Sequence, residues 1–299
     1  HNVTMIPFYI YYSKFGFQRV GDLAWAAGDM QAKGFLMGGT AGRTTLAGEG
    51  LQHQDGDSLI ISNTIPNCIS YDPTYAYELA VILCDGMSRM YEKMENIFYY
   101  ITLMNEAYPH PEMPKGVEQG IIKGIYPLKV VGKGSIEVQL LGSGAILREV
   151  EKAAEILDKN WGVKSSIWSV TSFNELTREA QKVDRDNRFN INGNLQVPYV
   201  TKCLEGTKGP VIAATDYIRN YAEQIRKFVP ARYEVLGTDG FGRSDTRSEL
   251  RIFFEVNANY IAFATLRALV DEGSLDTKIL ADAIKQLDID TNKPNPMYV

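Results

Sequence analysis

The chain has 299 residues, of which 45% are hydrophobic and 22% charged, with 31 Lys and Arg against 36 Asp and Glu. This composition excludes a globally disordered protein, and the length predicts roughly two domains with a core each. A net charge of −5 provides no electrostatic surface for nucleic acid or anionic lipid, so we expect neither as a partner. No run reaches the roughly 18 apolar residues that a membrane span requires.

The cysteines Cys68, Cys84 and Cys203 are odd in number, far apart and never spaced as C-x-x-C. This pattern is typical of neither a disulfide framework nor a zinc site, and it favours a reducing compartment. No basic segment followed by an apolar run comes after His1, so the sequence shows no signal peptide. We therefore expect a cytoplasmic protein.

Apolar and aromatic residues at 5–12 predict a buried strand, which indicates that a preceding part of the chain has been lost. Apolar residues at helical spacing predict a helix over 17–30. Further predicted elements are strands at 64–71 and 96–104 and a helix at 75–85. Asp72-Pro73 predicts the start of that helix, because proline is favoured at the first helical position.

Seven glycines between residues 34 and 56 predict tight turns in place of regular structure. Ionisable side chains on such a loop indicate a functional site more strongly than the same side chains on a helix. The loop contains five of them, namely Arg43, Glu49, His53, Asp55 and Asp57.

Residues 105–120 contain three prolines and few apolar residues, which predicts a linker. After it, strands are predicted at 136–141, 165–170, 211–215 and 233–236, and helices at 145–157, 173–183, 217–228, 247–254, 258–272 and 277–287. This alternation builds a mostly parallel sheet with helices on both faces. The chain is therefore predicted to be an α/β protein with domains at 1–120 and 121–299.

Two segments match known binding motifs only in part. The segment LLGSGA at 140–145 half-matches a dinucleotide fingerprint, but Leu147 stands where the third glycine belongs, so we interpret it as a tight strand-to-helix turn. Asp55 and Asp57 resemble the start of a calcium loop, yet Pro66 occupies the position that requires a glutamate.

Residue patterns alone leave His53 and Glu49 undecided. A histidine with an unperturbed pKa near neutrality suits acid–base chemistry, but ordering the loop is the slightly favoured interpretation for His53. Glu49 either holds a ligand or satisfies backbone amides of the loop. The aromatic residues between Phe8 and Phe17 are core by default, with a stacking platform for a heteroaromatic ring as the alternative.

Long segments of the sequence resemble one protein family. Residues 5–56, ending in GRTTLAGEGLQHQDG, resemble the middle domain of the homodimeric, bacterial type of pyruvate dehydrogenase E1 component. The segments SYDPTYAYELAVILCDGMSRMY and VLGTDGFGRSDTRSELRIFFEVNANYIAFATL extend the resemblance over essentially the whole chain.

The resemblance implies a fold of mostly parallel sheets flanked by helices, in which the later part of a pyrimidine-binding domain precedes a transketolase C-terminal-type domain. It implies an enzyme that uses thiamine diphosphate and Mg²⁺ to decarboxylate pyruvate and then reductively acetylates the lipoyl group of the E2 acetyltransferase. Such enzymes are homodimers with the active site at the subunit interface.

Four residues take roles from the resemblance. Phe15 in SKFGF resembles the aromatic residue that stacks on the aminopyrimidine, and Tyr12 in IYYS resembles a tyrosine on the substrate side. His53 in GLQHQDG resembles the histidine beside the thiazolium and its pyruvate adduct, where it hydrogen-bonds or transfers a proton. Glu49 in AGEG resembles a nearby loop acid with a supporting role.

Two family features are missing from the sequence. The Gly-Asp-Gly motif that holds Mg²⁺ and diphosphate is absent, so we expect no metal ligands here, and the glutamate that activates the pyrimidine would precede His1. The chain is therefore expected to be an inactive fragment with an incomplete sheet, whose open edge favours association. Another transketolase-like or 2-oxo acid dehydrogenase enzyme and a dimerisation module without chemistry remain the alternatives.

Overall fold

Two sheets of mainly parallel strands organise the computed structural model, which describes residues 3–191 and 193–299. His1 lies outside the described residues. The elements of the first half are β1 (Phe8–Tyr12), α1 (Ser13–Asp29), β2 (Phe35–Gly39), α2 (Ser58–Ser62), β3 (Cys68–Tyr71), α3 (Ala76–Met87) and β4 (Phe98–Thr102). All strand pairs are parallel, in the order β1-β2-β4-β3.

The second sheet has five strands and a mixed edge. Its elements are α4 (Glu118–Lys123), β5 (Ile125–Val131), β6 (Glu137–Gly142), α5 (Leu147–Trp161), β7 (Lys164–Val170), α6 (Phe173–Phe189), α7 (Tyr199–Leu204), β8 (Val211–Ala214), α8 (Asn220–Glu223), β9 (Tyr233–Leu236), α9 (Arg247–Phe253), α10 (Ala258–Asp271) and α11 (Lys278–Gln286). The order is β5-β7-β6-β8-β9, with β5 antiparallel to β7. The predicted α/β class is confirmed.

Four local predictions are wrong, three of them in the first half of the chain. The strand predicted as buried at the start is an edge strand, and Ile10 in its middle is 68% exposed. The glycine-rich stretch contains β2, which the glycines concealed because they are depleted in strands. The helix predicted from Asp72-Pro73 begins only at Ala76.

The predicted helix at 217–228 is replaced by the short helix α8 and a 3₁₀ turn. The first residues of the predicted helix form hydrogen bonds with other segments of the chain. The amide of Ile218 donates to the carbonyl of Gly56 (2.9 Å), and the carbonyl of Tyr217 accepts from the amide of Thr238 (2.8 Å). Tertiary hydrogen bonds therefore take the place of helical ones here.

Side chains from both halves of the chain pack into a common hydrophobic core. One cluster of buried side chains draws Phe17, Leu59 and Tyr100 from the first half and Val170 and Phe173 from the second. None of the helices within the described ranges combines the length and apolarity needed to cross a bilayer. The predicted boundary after residue 120 falls inside α4, next to this shared core.

A buried glutamate joins the two halves through hydrogen bonds. Glu78 of α3 is fully buried and accepts from the hydroxyls of Tyr126 and Ser169, both at 2.6 Å, and from the amide of Tyr75 at 2.9 Å. Burial raises the pKa of this carboxyl above its usual range, while the hydrogen bonds oppose the shift.

Asp72 lies where the ends of both sheets meet. Its Oδ1 accepts from the Thr102 hydroxyl (2.7 Å), but its Oδ2 is buried and has no partner in the described part of the chain. The amide of Asp72 donates to the carbonyl of Thr171 (2.8 Å), and its carbonyl accepts from the amide of Gly144 (3.3 Å). Burial raises the pKa of the Asp72 carboxyl to about 7.

We expect Asp72→Asn to stabilise the protein at pH 8. Because the pKa is about 7 when folded and about 4 when unfolded, the folded state holds the proton more tightly. The neutral carboxyl therefore contributes stability fully below about pH 4, and this contribution is lost as the pH rises through 7. The variant should exceed wild type at pH 8 by about 1–3 kcal/mol and lose the advantage at pH 4.

Urea unfolding between pH 4 and 8 measures this difference. Asp22→Asn is the matched control, because Asp22 is exposed on α1. Parallel curves for wild type and Asp72→Asn across that range would contradict the prediction.

Candidate functional site

The site forms at the carboxyl ends of two neighbouring parallel strands. Tyr12 ends β1 and pairs in register with Gly39, which ends β2. The chain continues from Tyr12 into α1 and from Gly39 into the loop 40–57. Because both connections leave the same edge of the sheet, residues far apart in sequence meet there, as is usual for ligand sites in parallel sheets.

Three of the four residues that the sequence analysis singled out lie together. The His53 ring centroid is 5.1 Å from that of Phe15, in an edge-on arrangement, and 5.5 Å from that of Tyr12. The rings of Tyr12 and Phe15 are 6.0 Å apart. Tyr12 is 43% exposed, so the cluster opens to solvent on one side.

His53 ends a 3₁₀ turn, Leu51–His53, in which its amide donates to the carbonyl of Gly50 (2.9 Å). Its side chain has fewer hydrogen bonds than its backbone. The Nδ1 atom is buried and has no hydrogen-bond partner within the described residues. The described residues therefore leave this nitrogen available for a hydrogen bond with a bound group.

Glu49 is half-buried four residues before His53 and shares the same loop. The structure shows no ion pair for its carboxylate in residues 3–191 and 193–299. Its supporting role stays a prediction.

One face of the Phe15 ring is covered by a cation. The guanidinium carbon of Arg19, one turn further along α1, lies 4.0 Å from the ring centroid, which leaves the opposite face as the one a ligand would use. Sequence reasoning did not identify Arg19, although the i, i+4 spacing on a helix is the signal that pairs the two side chains. An aromatic face beside an unpaired ring nitrogen fits a flat heteroaromatic group.

The same residues do not fit a metal ion. Within the described ranges, no three His, Cys, Asp or Glu side chains are grouped as metal ligands. Asp55 and Asp57, which resembled a calcium loop, have structural partners instead. Asp57 forms an ion pair with Lys14 at 3.0 Å, which holds the loop against α1.

Asp55 fixes the return of the loop behind His53. It is fully buried, and one carboxylate oxygen accepts from the amides of Asp57 (3.1 Å) and Ser58 (3.0 Å) while the other accepts from the Ser58 hydroxyl. Burial raises the pKa of Asp55, and the hydrogen bonds from Ser58 oppose this. The carboxylate thereby satisfies amides at the start of α2.

Two family models match the chain. Residues 1–111 match the pyruvate dehydrogenase E1 component middle domain, and residues 124–257 match the transketolase-like C-terminal domain. The chain is 58% identical to the pyruvate dehydrogenase E1 component of Cupriavidus necator, over 100% of this chain and 34% of that protein. With the same enzyme from Escherichia coli K12 it shares 58% identity, over 99% of this chain and 33% of that protein. The chain thus spans about a third of these relatives.

Solved transketolases share the fold at low identity. The transketolase of Campylobacter jejuni superimposes with a TM-score of 0.66 at 18% identity, covering 88% of this chain and 36% of that one. A split-gene transketolase, described as an inactive beta4 tetramer, gives 0.64 at 15% identity, covering 89% of this chain and 77% of that one.

We expect Asp55→Ala to destabilise the protein by about 2–4 kcal/mol, because two buried donors of Ser58 and the partly buried amide of Asp57 lose their acceptor. Urea unfolding at pH 7 measures the change. Asp57→Ala is the matched control, since it removes one partly exposed ion pair and should cost about 1 kcal/mol or less. Equal losses in the two variants would show that Asp55 does not hold the loop.

Proposed function

The chain belongs to the pyruvate dehydrogenase E1 family, of which it spans the middle and transketolase-like C-terminal domains, and we propose that it forms one wall of a thiamine-diphosphate site. The observation that supports this most directly is the unpaired Nδ1 of His53 beside the rings of Phe15 and Tyr12. We propose the domain limits 1–120 and 121–299.

The proposed reaction is decarboxylation of pyruvate followed by reductive acetylation of the lipoyl group of an E2 acetyltransferase, in which the lipoyl disulfide accepts two electrons as one of its sulfurs takes the acetyl group. Thiamine diphosphate supplies the carbon nucleophile and the electron sink for loss of CO₂. Phe15 stacks on the pyrimidine, a contact worth about 0.5–1.5 kcal/mol beyond burial. Arg19 on its other face keeps the Phe15 ring in place.

His53 and Tyr12 act on the substrate side. His53 holds or transfers a proton at Nδ1, the ring atom that the protein leaves unpaired. Tyr12 lines the substrate pocket, and its ring keeps the His53 ring from turning away. Glu49 has a supporting role as a second acid on the loop.

We propose that Mg²⁺ and the diphosphate would be held by a part of the parent protein that this chain, which spans about a third of its relatives, does not include. We therefore propose that the chain alone does not decarboxylate pyruvate and works as part of a larger protein. Association with a second copy is supported by exposed apolar side chains on β1 and α1, namely Phe8, Ile10, Leu23 and Trp25.

We expect His53→Ala to lower the turnover of pyruvate about 10²–10⁴-fold, because a positioned acid–base group contributes that much. The assay is thiamine-diphosphate-dependent release of CO₂ by the protein that contains this chain. His110→Ala is the matched control: His110 lies outside the site, where its Nδ1 accepts from the amide of Ala76, and it should retain activity within twofold.

A wild-type protein that releases no CO₂ from pyruvate in the presence of cofactor would refute the proposed function. Activity with 2-oxoglutarate or ketose phosphates in its place would identify the related enzyme classes. Unchanged activity in His53→Ala would remove only the role of this residue.

We expect Phe15→Ala to raise the dissociation constant of thiamine diphosphate about 2–10-fold, the loss of one stacking contact. Phe15→Tyr keeps the ring and should bind as wild type does. Calorimetric titration of the same protein with cofactor in Mg²⁺ buffer measures both. Phe189→Ala serves as the control, because Phe189 is 66% exposed at the end of α6. Equal affinities for Phe15→Ala and wild type would place the cofactor elsewhere.

A further inference from the structure

We propose that Gln54 is a positioning residue for His53, through which the loop 237–246 of the second sheet sets the place of the imidazole. The effect on catalysis that we infer rests on the proposed function, whereas the position of His53 relative to Gln54 is independent of it. Gln54 directly follows His53 and is 1% exposed, although glutamine side chains are rarely buried.

The side chain of Gln54 forms two hydrogen bonds with a single residue of that loop. Its Nε2 donates to the carbonyl of Arg243 at 2.5 Å, and its Oε1 accepts from the amide of Arg243 at 2.7 Å. The two residues are 189 positions apart in the sequence. A primary amide is the neutral side-chain group that offers a donor and an acceptor in this geometry.

Shape complementarity accompanies these hydrogen bonds. A Cβ atom placed on Gly242 would lie 2.5 Å from the carbonyl oxygen of Leu51 and 3.1 Å from the Cβ of Gln54. The 3₁₀ turn that ends in His53 therefore rests directly on the backbone of Gly242. Any side chain at that position would displace the turn.

Further contacts hold the first half of the loop 40–57 to the same partner segment. An Arg43 Nη1 atom donates to the carbonyls of Thr238 (2.8 Å) and Gly240, and the amide of Gly48 donates to the carbonyl of Asp245 (2.9 Å). These contacts fix the loop ten and five residues before His53 in the sequence. Gln54 directly follows His53, and Gly242 contacts the turn that ends in His53.

The placement matters because the His53 side chain has little support of its own. Its Nδ1 is unpaired, so the ring contacts and the backbone position determine where the imidazole lies. Loss of the Gln54 hydrogen bonds leaves the turn free to shift. A buried glutamine with only a general structural role would instead affect the whole fold and leave His53 no more sensitive than other residues.

The test is the histidine spectrum of the 299-residue chain, with ¹³C-labelled histidine, since the sequence contains only three histidines. Gln54→Ala should shift or broaden the Cε1–H signal of His53 and leave that of His110 unchanged. Gln52→Ala, which truncates an exposed glutamine of the same turn, should change neither signal. An unchanged His53 signal in folded Gln54→Ala overturns the proposal.

Two further variants keep the test decisive if Gln54→Ala does not fold. Gln54→Glu retains the size and the acceptor but loses the donor to Arg243 when ionised. Gly242→Ala pushes on the turn from the other side, and Gly242 does not have a positive φ that would strain alanine. Both should displace the His53 signal, whereas Gly21→Ala, where a Cβ meets nothing within 4 Å, should not. Unchanged His53 signals in both would refute the inference.

Activity of the protein that contains the chain separates this inference from the proposed function. Gln54→Ala should lower kcat for pyruvate about tenfold with the affinity for thiamine diphosphate within twofold, and it should add nothing to His53→Ala. A displaced His53 signal with unchanged kcat would uphold the positioning and refute the role of His53 in catalysis. An unchanged signal would refute the positioning alone.

Discussion

The candidate site depends on hydrogen bonds that one half of the chain makes to the backbone of the other. The loop 40–57 has little regular structure, and a loop of that length needs partners for its polar backbone. Arg43, Gly48, Gln54 and Gly56 all find theirs on segments that follow β8 and β9. His53 is therefore placed by both sheets, although every ring around it belongs to the first.

The parallel register of β1 and β2 supplies the other half of the arrangement. With Tyr12 opposite Gly39, the start of α1 and the start of the loop leave the sheet side by side. The rings of Tyr12, at the end of β1, and Phe15, on the first turn of α1, then contact the imidazole without a hydrogen bond to it. The outcome is a cluster fixed by backbone geometry and open to a ligand on its exposed side.

Sequence patterns predicted β6 and β7 of the second sheet well, because each is a short, mainly apolar strand followed by an amphipathic helix. They failed where tertiary contacts override local preference. The strand β2 was not predicted because two of its five residues are glycines. The segment after β8 was predicted as a long helix, but its first residues form hydrogen bonds with Gly56 and Thr238. The edge strand β5 was missed because its outward side chains interrupt the apolar pattern.

Some residues of the candidate site were also predicted from the sequence, and others were not. The resemblance pointed to Tyr12, Phe15 and His53, and the structure brings their rings within 6.0 Å of one another. The pairings of Gln54 and Arg43 have no local signal in the sequence, because their partners lie 189 and 195 positions away. Contacts of that separation depend on how the two sheets pack, which no window of sequence records.

The buried Glu78 has a consequence for how the chain acquires its structure during synthesis. Two of the hydroxyls that satisfy it belong to Tyr126 and Ser169, which leave the ribosome after all four strands of the first sheet. Until then the carboxylate lacks those partners and opposes burial of α3. The amino-terminal half should accordingly remain loosely packed on the ribosome and consolidate only when β7 arrives, so that both halves fold as one cooperative unit.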